Sequence, residues 1–253
     1  MSQVSDSTAG LDLSGLPPEA AEAAGRFFAS VLETAADNIL SITIVGSAVT
    51  PDYRPDVSDI NSVLIVETVN MTLLESVASL GRKFGRKGIA APILMTPEYI
   101  ERSLDVFPLE FMEYRAAHMV AYGRDFFADL AFGKDDVRAA CERQSKSLLM
   151  AAHQGYLLAL NNAQRLRSLL FELSNSVLPV LRGLLYLAET EAPATRRGLL
   201  EAAAKRFDIS WAAFESIIEM RDGNFSPTFG ELQQAFEELY ATIGTLSHVA
   251  DRS

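Results

Sequence analysis

The chain has a single cysteine, Cys141, among 253 residues. An intramolecular disulfide is therefore excluded, which is the usage expected in a reducing cytoplasm. Cys141 lies in a charged, helix-like stretch with no catalytic partner nearby in sequence, so it reads as structural. Histidine is also scarce. The three present, His118, His153 and His248, are too scattered to suggest a metal site and read as ordinary core or surface residues. There is no uninterrupted apolar run of about 18 residues, which argues against a membrane span. Cations are outnumbered, with 22 Lys and Arg against 33 Asp and Glu, a formal net charge of -11. A surface that acidic repels phosphate, so neither general nucleic-acid binding nor docking on an anionic membrane is expected. A local basic pocket remains compatible with it. The segment Met1–Gly15 has no basic start and no apolar centre, so it does not read as a signal peptide. Its Ser, Asp, Thr and Gly content predicts a mobile tail. No internal repeat is present.

What is there is an ordinary globular composition, 49% apolar and 22% charged, long enough for one large domain or two modest ones. Pro17-Pro18-Glu19-Ala20 opens a helix with proline and an acid at its N-terminal end. Phe27, Phe28, Val31, Leu32 and Ala35 then recur at helical spacing to about Asn38. Leu40 to Val45 is short and β-rich, Gly46 to Ser58 reads as a loop, and Ile60 to Glu67 as a second strand. Leu73, Leu74, Val77, Leu80 and Phe84 form a helical stripe closed by the segment from Gly85 to Gly88. Ile89 to Met95 reads as a third strand whose Pro92 places it at an edge or at an irregular start. Thr96-Pro97-Glu98 has the form of an N-cap and first turn. Glu110 to Val120 fits a strand with a turn or a helix, and Tyr122-Gly123-Arg124-Asp125 a turn. From Asp135 onward the apolar period is helical. Leu148, Leu149, Ala152, Tyr156 and Ala159 form one stripe. A second runs from Leu166 to Leu184, with Pro179 predicted to kink it. Shorter helices are expected near Thr195–Phe207 and Ser210–Met220, and a last one near Phe229–His248. The predicted organisation is a tail over 1–15, a first domain over 16–133 and an antiparallel helical bundle over 134–253.

The chemistry-bearing pattern lies between the first two strands. The apolar run Ile42-Thr43-Ile44-Val45 ends in Gly46-Ser47. A polar loop leads to Ser58-Asp59-Ile60-Asn61 at the mouth of the second strand. A Gly-Ser turn at a strand end allows close backbone approach to phosphate. Side chains two residues apart on a strand share one face, so Asp59 and Asn61 are placed to act together on hard metal ions through oxygen.

This pattern resembles the active-site signature of the nucleotidyltransferase superfamily that includes the aminoglycoside nucleotidyltransferases. Those enzymes normally carry Gly-Ser followed by Asp-x-Asp; here Asn61 stands at the second acid. The close Val120-Ala121-Tyr122-Gly123-Arg124-Asp125 is similar to a phrase that follows the core sheet in bacterial proteins of this type. The resemblance implies an α+β fold: a small mixed sheet with flanking helices, then an all-α bundle. It implies transfer of a nucleoside monophosphate from a nucleoside triphosphate, with Mg²⁺ or Mn²⁺, to a hydroxyl of a small molecule or protein. Carried over, Asp59 is the main metal ligand, Asn61 a weak second, and Gly46, Ser47 and Ser58 meet the nucleotide. A third carboxylate comes from a neighbouring strand in the superfamily; Ile89 to Met95 has no acid, so Glu110 and Glu113 are the candidates. Members often pair through such bundles, which makes a homodimer an expectation. The alternative implied by Asn61 is a degenerate nucleotide-binding or regulatory protein that keeps the fold without turnover.

Other groups read more simply. Arg82, Lys83, Arg86 and Lys87 fit a solvated helix end better than a phosphate clamp. Arg196-Arg197 and Lys205-Arg206 fit exposed helix faces better than the lining of an interdomain cleft. Tyr156, Phe171 and Tyr186 read as core rather than as a base-stacking platform. Asp135-Asp136 reads as an acidic helix start suited to the dipole.

Overall fold

The computed structural model describes residues 10–55, 57–84, 88–159 and 161–252. The chain forms two compact units. One comprises residues up to Leu104 together with Glu113–Ala131; the other comprises Asp105–Met112 and Phe132 onward.

The first unit is built on a four-stranded mixed sheet. Its strands are β1 (Ile39–Val45), β2 (Asn61–Val66), β3 (Ile93–Met95) and β4 (His118–Gly123), in the order β3-β2-β1-β4. β1 pairs antiparallel with β2 and β4, and β2 pairs parallel with β3. The third strand is shorter than its sequence suggests. Pro92 has no amide for a ladder, so Ile89 makes only an isolated bridge to Ile60 and regular pairing begins at Ile93.

One sheet face is covered by α1 (Pro18–Ala35) and α2 (Met71–Phe84). Ile42, Ile44, Leu64, Val66 and Ala121 from the strands bury with Phe27, Phe28 and Val31 of α1 and Leu73, Val77 and Phe84 of α2. Phe27 meets Phe28 and Phe84 edge-on, with ring centroids 5.3 and 5.7 Å apart. Such packing is what anchors an element of moderate propensity. Residues 1–9 of the expected tail lie outside the described residues. The part from Leu11 to Leu16 is held: the Asp12 amide donates to the Ala121 carbonyl at 2.8 Å, and Leu11, Leu13 and Leu16 pack on the core.

The remaining helices are α3 (Pro97–Ser103), α4 (Pro108–Ala116), α5 (Lys134–Ala159), α6 (Ala163–Ser176), α7 (Leu178–Leu187), α8 (Arg196–Phe207), α9 (Ala212–Asp222) and α10 (Phe229–Ala250). The Thr96 hydroxyl accepts the Tyr99 amide at 3.1 Å, capping α3 as its sequence indicates. The stretch left open between strand and helix is both in turn, α4 followed by β4. Pro108 and Glu110 fit a helix start, and β-favouring residues begin only at Met119.

In the second unit the long leucine stripe is two helices rather than one kinked one. Pro179 has no amide to offer the Asn175 carbonyl, and the Val177 amide turns to that carbonyl and to Leu173 instead, closing α6. The segment Ala163–Leu187 is long and apolar enough to cross a membrane by length and composition, yet most of its apolar stretch is buried inside the structure. It is spent on the bundle core, where Leu166, Leu170, Leu181 and Leu185 are fully enclosed. α10 carries a complete capping box: Thr228 Oγ1 accepts the Glu231 amide, and the Glu231 carboxylate accepts the Thr228 amide at 2.7 Å.

Candidate functional site

β1 delivers its chain into the Gly-Ser turn. Gly46 has φ +78°, a left-handed conformation that glycine adopts without steric cost. Its amide donates to the Ala117 carbonyl at 2.9 Å, which ties the turn to the residue before β4. Gly46–Val49 then forms one 3₁₀ turn. The Ser47 carbonyl accepts both the Thr50 amide at 3.0 Å and the Thr50 hydroxyl at 3.2 Å. The turn is thus fixed by its own residues and by the approach to β4.

The loop that follows is closed on Arg54 and Ser58. The Arg54 amide donates to Ser58 Oγ at 3.2 Å, and the Val57 and Ser58 amides donate back to the Arg54 carbonyl at 3.1 and 2.8 Å. Ser58 therefore shapes the loop with the same hydroxyl that the sequence offers to a nucleotide. The Ile60 amide donates to the Gly88 carbonyl at 2.7 Å, and its carbonyl accepts the Ala90 amide at 3.1 Å. This pairing holds the chain extended through Asp59-Ile60-Asn61. In an extended strand, Asp59 and Asn61 lie on one face with Cα atoms about 6.6 Å apart. Both are exposed.

Strand register places a third residue in this row. Val45 pairs with Asn61 on one side and with His118 on the other. Directly opposed residues share a sheet face, so Asn61, Val45 and His118 line up across β2, β1 and β4. Asn61 and His118 are separated by two strand spacings, about 9.5 Å. His118 is the β4 member of this row, and both of its ring nitrogens lie near an oxygen. Nδ1 lies 3.2 Å from the Arg115 carbonyl oxygen and Nε2 lies 3.0 Å from Asp125 Oδ2. Both ring nitrogens thus lie within hydrogen-bond distance of an oxygen, which fixes the ring's orientation between Arg115 and Asp125. Its edge also packs on Phe127, centroids 5.9 Å apart. Burial pushes the Asp125 carboxyl up, but the hydrogen bonds from His118 and from the Phe127 and Ala128 amides together hold it below its usual 3.8. In sequence His118 reads as an ordinary core or surface residue and Asp125 as the end of a turn, and nothing there pairs the two. Asp125 sits two residues before Phe127, a spacing in which an aspartate often caps following amides.

The structure brings Gly46, Ser47, Asp59 and Asn61 to one end of the sheet around the β1–β2 pair. Glu113 lies on α4 one turn before Ala117, whose carbonyl holds Gly46. Glu110 lies on the part of α4 that belongs to the second unit. β4 itself, His118 to Gly123, contains no acid. Among the described residues no group of three or more His, Cys, Asp or Glu side chains is placed to hold a metal ion. A two-ion site needs several anionic oxygens around ions about 3.5–4 Å apart. Among the described residues, the row across β2, β1 and β4 supplies one carboxylate, Asp59, one neutral amide, Asn61, and the imidazole of His118, which is hydrogen-bonded to Asp125. The residues present do not fit a protein-held pair of Mg²⁺ ions.

The other sequence candidates settle into structural roles. Arg86 and Lys87 lie outside the described residues, as does the side chain of Arg82; Lys83 sits 5.0 Å from the Phe84 ring centroid. Tyr156 stacks on Phe236 at 4.6 Å, and Tyr186 meets Phe132 edge-on while donating to its carbonyl at 2.8 Å. Arg196 donates to Asn175 Oδ1 at 2.7 Å. Asp135 and Asp136 fall in the first turn of α5, favourable to its dipole. His153 shares a hydrogen bond with the Tyr240 hydroxyl at 2.6 Å.

The first unit is thus a mixed sheet with a Gly-Ser turn at one strand end and Asp-x-Asn opening the next, followed in the chain by helices. Among solved structures, the chain is similar to the spectinomycin adenyltransferase AAD(9) from Enterococcus faecialis, determined with ATP and spectinomycin. The TM-score is 0.54 at 12% sequence identity, over 91% of this chain and 98% of that one. At that identity the likeness is one of fold. No protein-family model matches the chain, and no curated protein matches it in sequence.

Proposed function

We propose that this chain is a nucleotidyltransferase-like protein that binds a nucleoside triphosphate at the sheet end formed by Gly46, Ser47, Asp59 and Asn61, and that binding rather than turnover is its principal activity. The observation that carries the reading is the strand register. Pairing of Asn61 with Val45 sets the exposed Asp59-x-Asn61 edge beside the Gly46–Ser47 turn, so the phosphate chain has a close backbone approach on one side and a carboxylate on the other. The missing second acid and the acid-free β4 favour a nucleotide-sensing or regulatory role. A cytoplasmic, bacterial-type setting belongs to the same proposal. Screening nucleoside triphosphates with Mg²⁺ by thermal shift tests it, because a ligand that binds the folded state raises the melting temperature, and does so increasingly as its concentration exceeds Kd. A shift for at least one triphosphate, reduced in Asp59→Ala, is the expected result; no shift for any of them at millimolar concentration contradicts it.

A second reading rests on the retention of Asp59 as an exposed carboxylate and on a fold likeness that covers 98% of an adenyltransferase chain. In this reading the chain moves a nucleoside monophosphate to a hydroxyl of a small molecule or protein, with Glu110 or Glu113 supplying the missing charge. Label from an α-labelled triphosphate appearing on any acceptor, and disappearing in Asp59→Ala, would establish it over the first.

A further inference from the structure

Resting on the nucleotide-binding reading, we infer that this site has no divalent ion of its own: the ion enters only as the metal complex of the triphosphate, with Asp59 as its one anionic protein ligand, and Asn61 is the residue that keeps the empty site free of metal. Three observations converge on it. Asp59 and Asn61 hold a spacing that sends both side chains to one face, so the position of the second acid is present and properly placed, but it is filled by an amide. An amide oxygen can coordinate a hard cation, yet it adds no charge, and ligand charge count is what sets affinity for such ions. Across the row, the β4 position that could complete the set is His118, whose nitrogens face Arg115 O at 3.2 Å and Asp125 Oδ2 at 3.0 Å. Asp125 in turn spends Oδ1 on the amides of Phe127 and Ala128 at 2.8 and 3.1 Å. His118 and Asp125 are thus tied to each other and to backbone groups on the β4 side of the row.

One carboxylate with water is a weak site for Mg²⁺, which gives up its hydration shell reluctantly and usually takes one or two protein carboxylates together with substrate phosphates. Nucleotide phosphates bring the remaining anionic oxygens themselves. The ion and the nucleotide are therefore coupled: each raises the affinity of the other, while the free ion alone finds nothing sufficient. Asn61 is exposed, so Asn61→Asp adds a charge without disturbing the buried face of β2. It should convert the sheet end into a two-carboxylate site that holds a divalent ion before nucleotide arrives.

Mn²⁺ binding, read by electron paramagnetic resonance in the presence and absence of ATP, tests this with the full chain. Wild type is expected to leave Mn²⁺ free at concentrations up to about 1 mM without ATP, the affinity range of a weakly charged oxygen site. Asn61→Asp is expected to tighten Mn²⁺ binding without nucleotide by at least about tenfold, and Asp59→Asn combined with Asn61→Asp to lose that gain. Tight Mn²⁺ binding by wild type alone that is lost in Asp59→Ala overturns the inference, as does an Asn61→Asp variant, folded by circular dichroism, that binds Mn²⁺ no better than wild type. The nucleotide arm is separate. If Mg-ATP and Mn-ATP fail to bind wild type by calorimetry, the nucleotide reading fails, while the metal-only arms still report whether Asn61 disarms the site.

Discussion

Gly123 offers the sharpest test of the sheet that carries the site. It ends β4 with φ +78°, and a Cβ built on it would lie 2.1 Å from the Leu40 carbonyl oxygen, 3.0 Å from the Leu40 carbonyl carbon and 3.1 Å from the Ser41 Cα. These are backbone atoms of the neighbouring strand and cannot rotate away, so β1 and β4 must part by roughly 1 Å to restore van der Waals contact. Gly123→Ala therefore combines left-handed strain of about 1–2 kcal/mol with overpacking of about 1–3 kcal/mol, a total of about 2–5 kcal/mol. Gly46 supplies the control. Its φ is also +78°, but a Cβ there meets nothing within 4 Å, so Gly46→Ala should cost only the strain, about 1–2 kcal/mol. Urea titration followed by circular dichroism gives the two values. Hydrogen exchange of β1 and β4 peptides should show Gly123→Ala loosening that strand pair locally. Equal costs for the two variants, or unchanged protection across β1 and β4 in Gly123→Ala, would refute the close approach.

Asp125 should make the first unit acid-sensitive. Its folded pKa lies below the usual 3.8, so its contribution is present above that value and is lost as pH falls through the lowered folded value; Asp125→Asn should flatten the melting temperature between pH 5 and pH 3, and an unchanged profile would count against the His118 pairing. Burial pushes the Cys141 thiol up to about 12, so no thiolate is present at pH 8. A thiol reagent should label the native protein only at the rate of opening and label the unfolded chain at once, whereas prompt native labelling would contradict the packing. Thr228→Ala removes the capping box of α10 and should destabilise the second unit by about 0.5–2 kcal/mol, read in urea by fluorescence of Trp211, the chain's only tryptophan; no change would mean the cap adds nothing to that helix.

Much of the scaffold is legible in the sequence because its signals are local. The apolar runs of β1 and β2, the N-cap at Thr96 and the helical periods of α1, α2 and α10 depend on neighbours a few residues away. What was less legible depends on partners far along the chain. Pro92 shortens β3 through a ladder that exists only once β2 is alongside. Pro179 divides α6 from α7 because the Asn175 carbonyl finds the Val177 amide instead. At the site, the strands that carry Gly46, Asp59 and Asn61 follow from a short motif, whereas the role of His118 follows from register: it becomes the third member of the row only when β4 pairs with β1. Histidines 118, 153 and 248 look equally scattered in sequence, and only pairing separates the one beside Val45 from the one hydrogen-bonded to Tyr240.

The most direct test of the central claim is isothermal titration of ATP with excess Mg²⁺ into wild type and Asp59→Ala, repeated in EDTA. The account predicts that Asp59→Ala weakens Mg-ATP by at least about tenfold, equivalent to about 1.4 kcal/mol, because it removes the one anionic ligand of the incoming ion, and that the two proteins differ little in EDTA. Equal affinities of wild type and Asp59→Ala for Mg-ATP would contradict it.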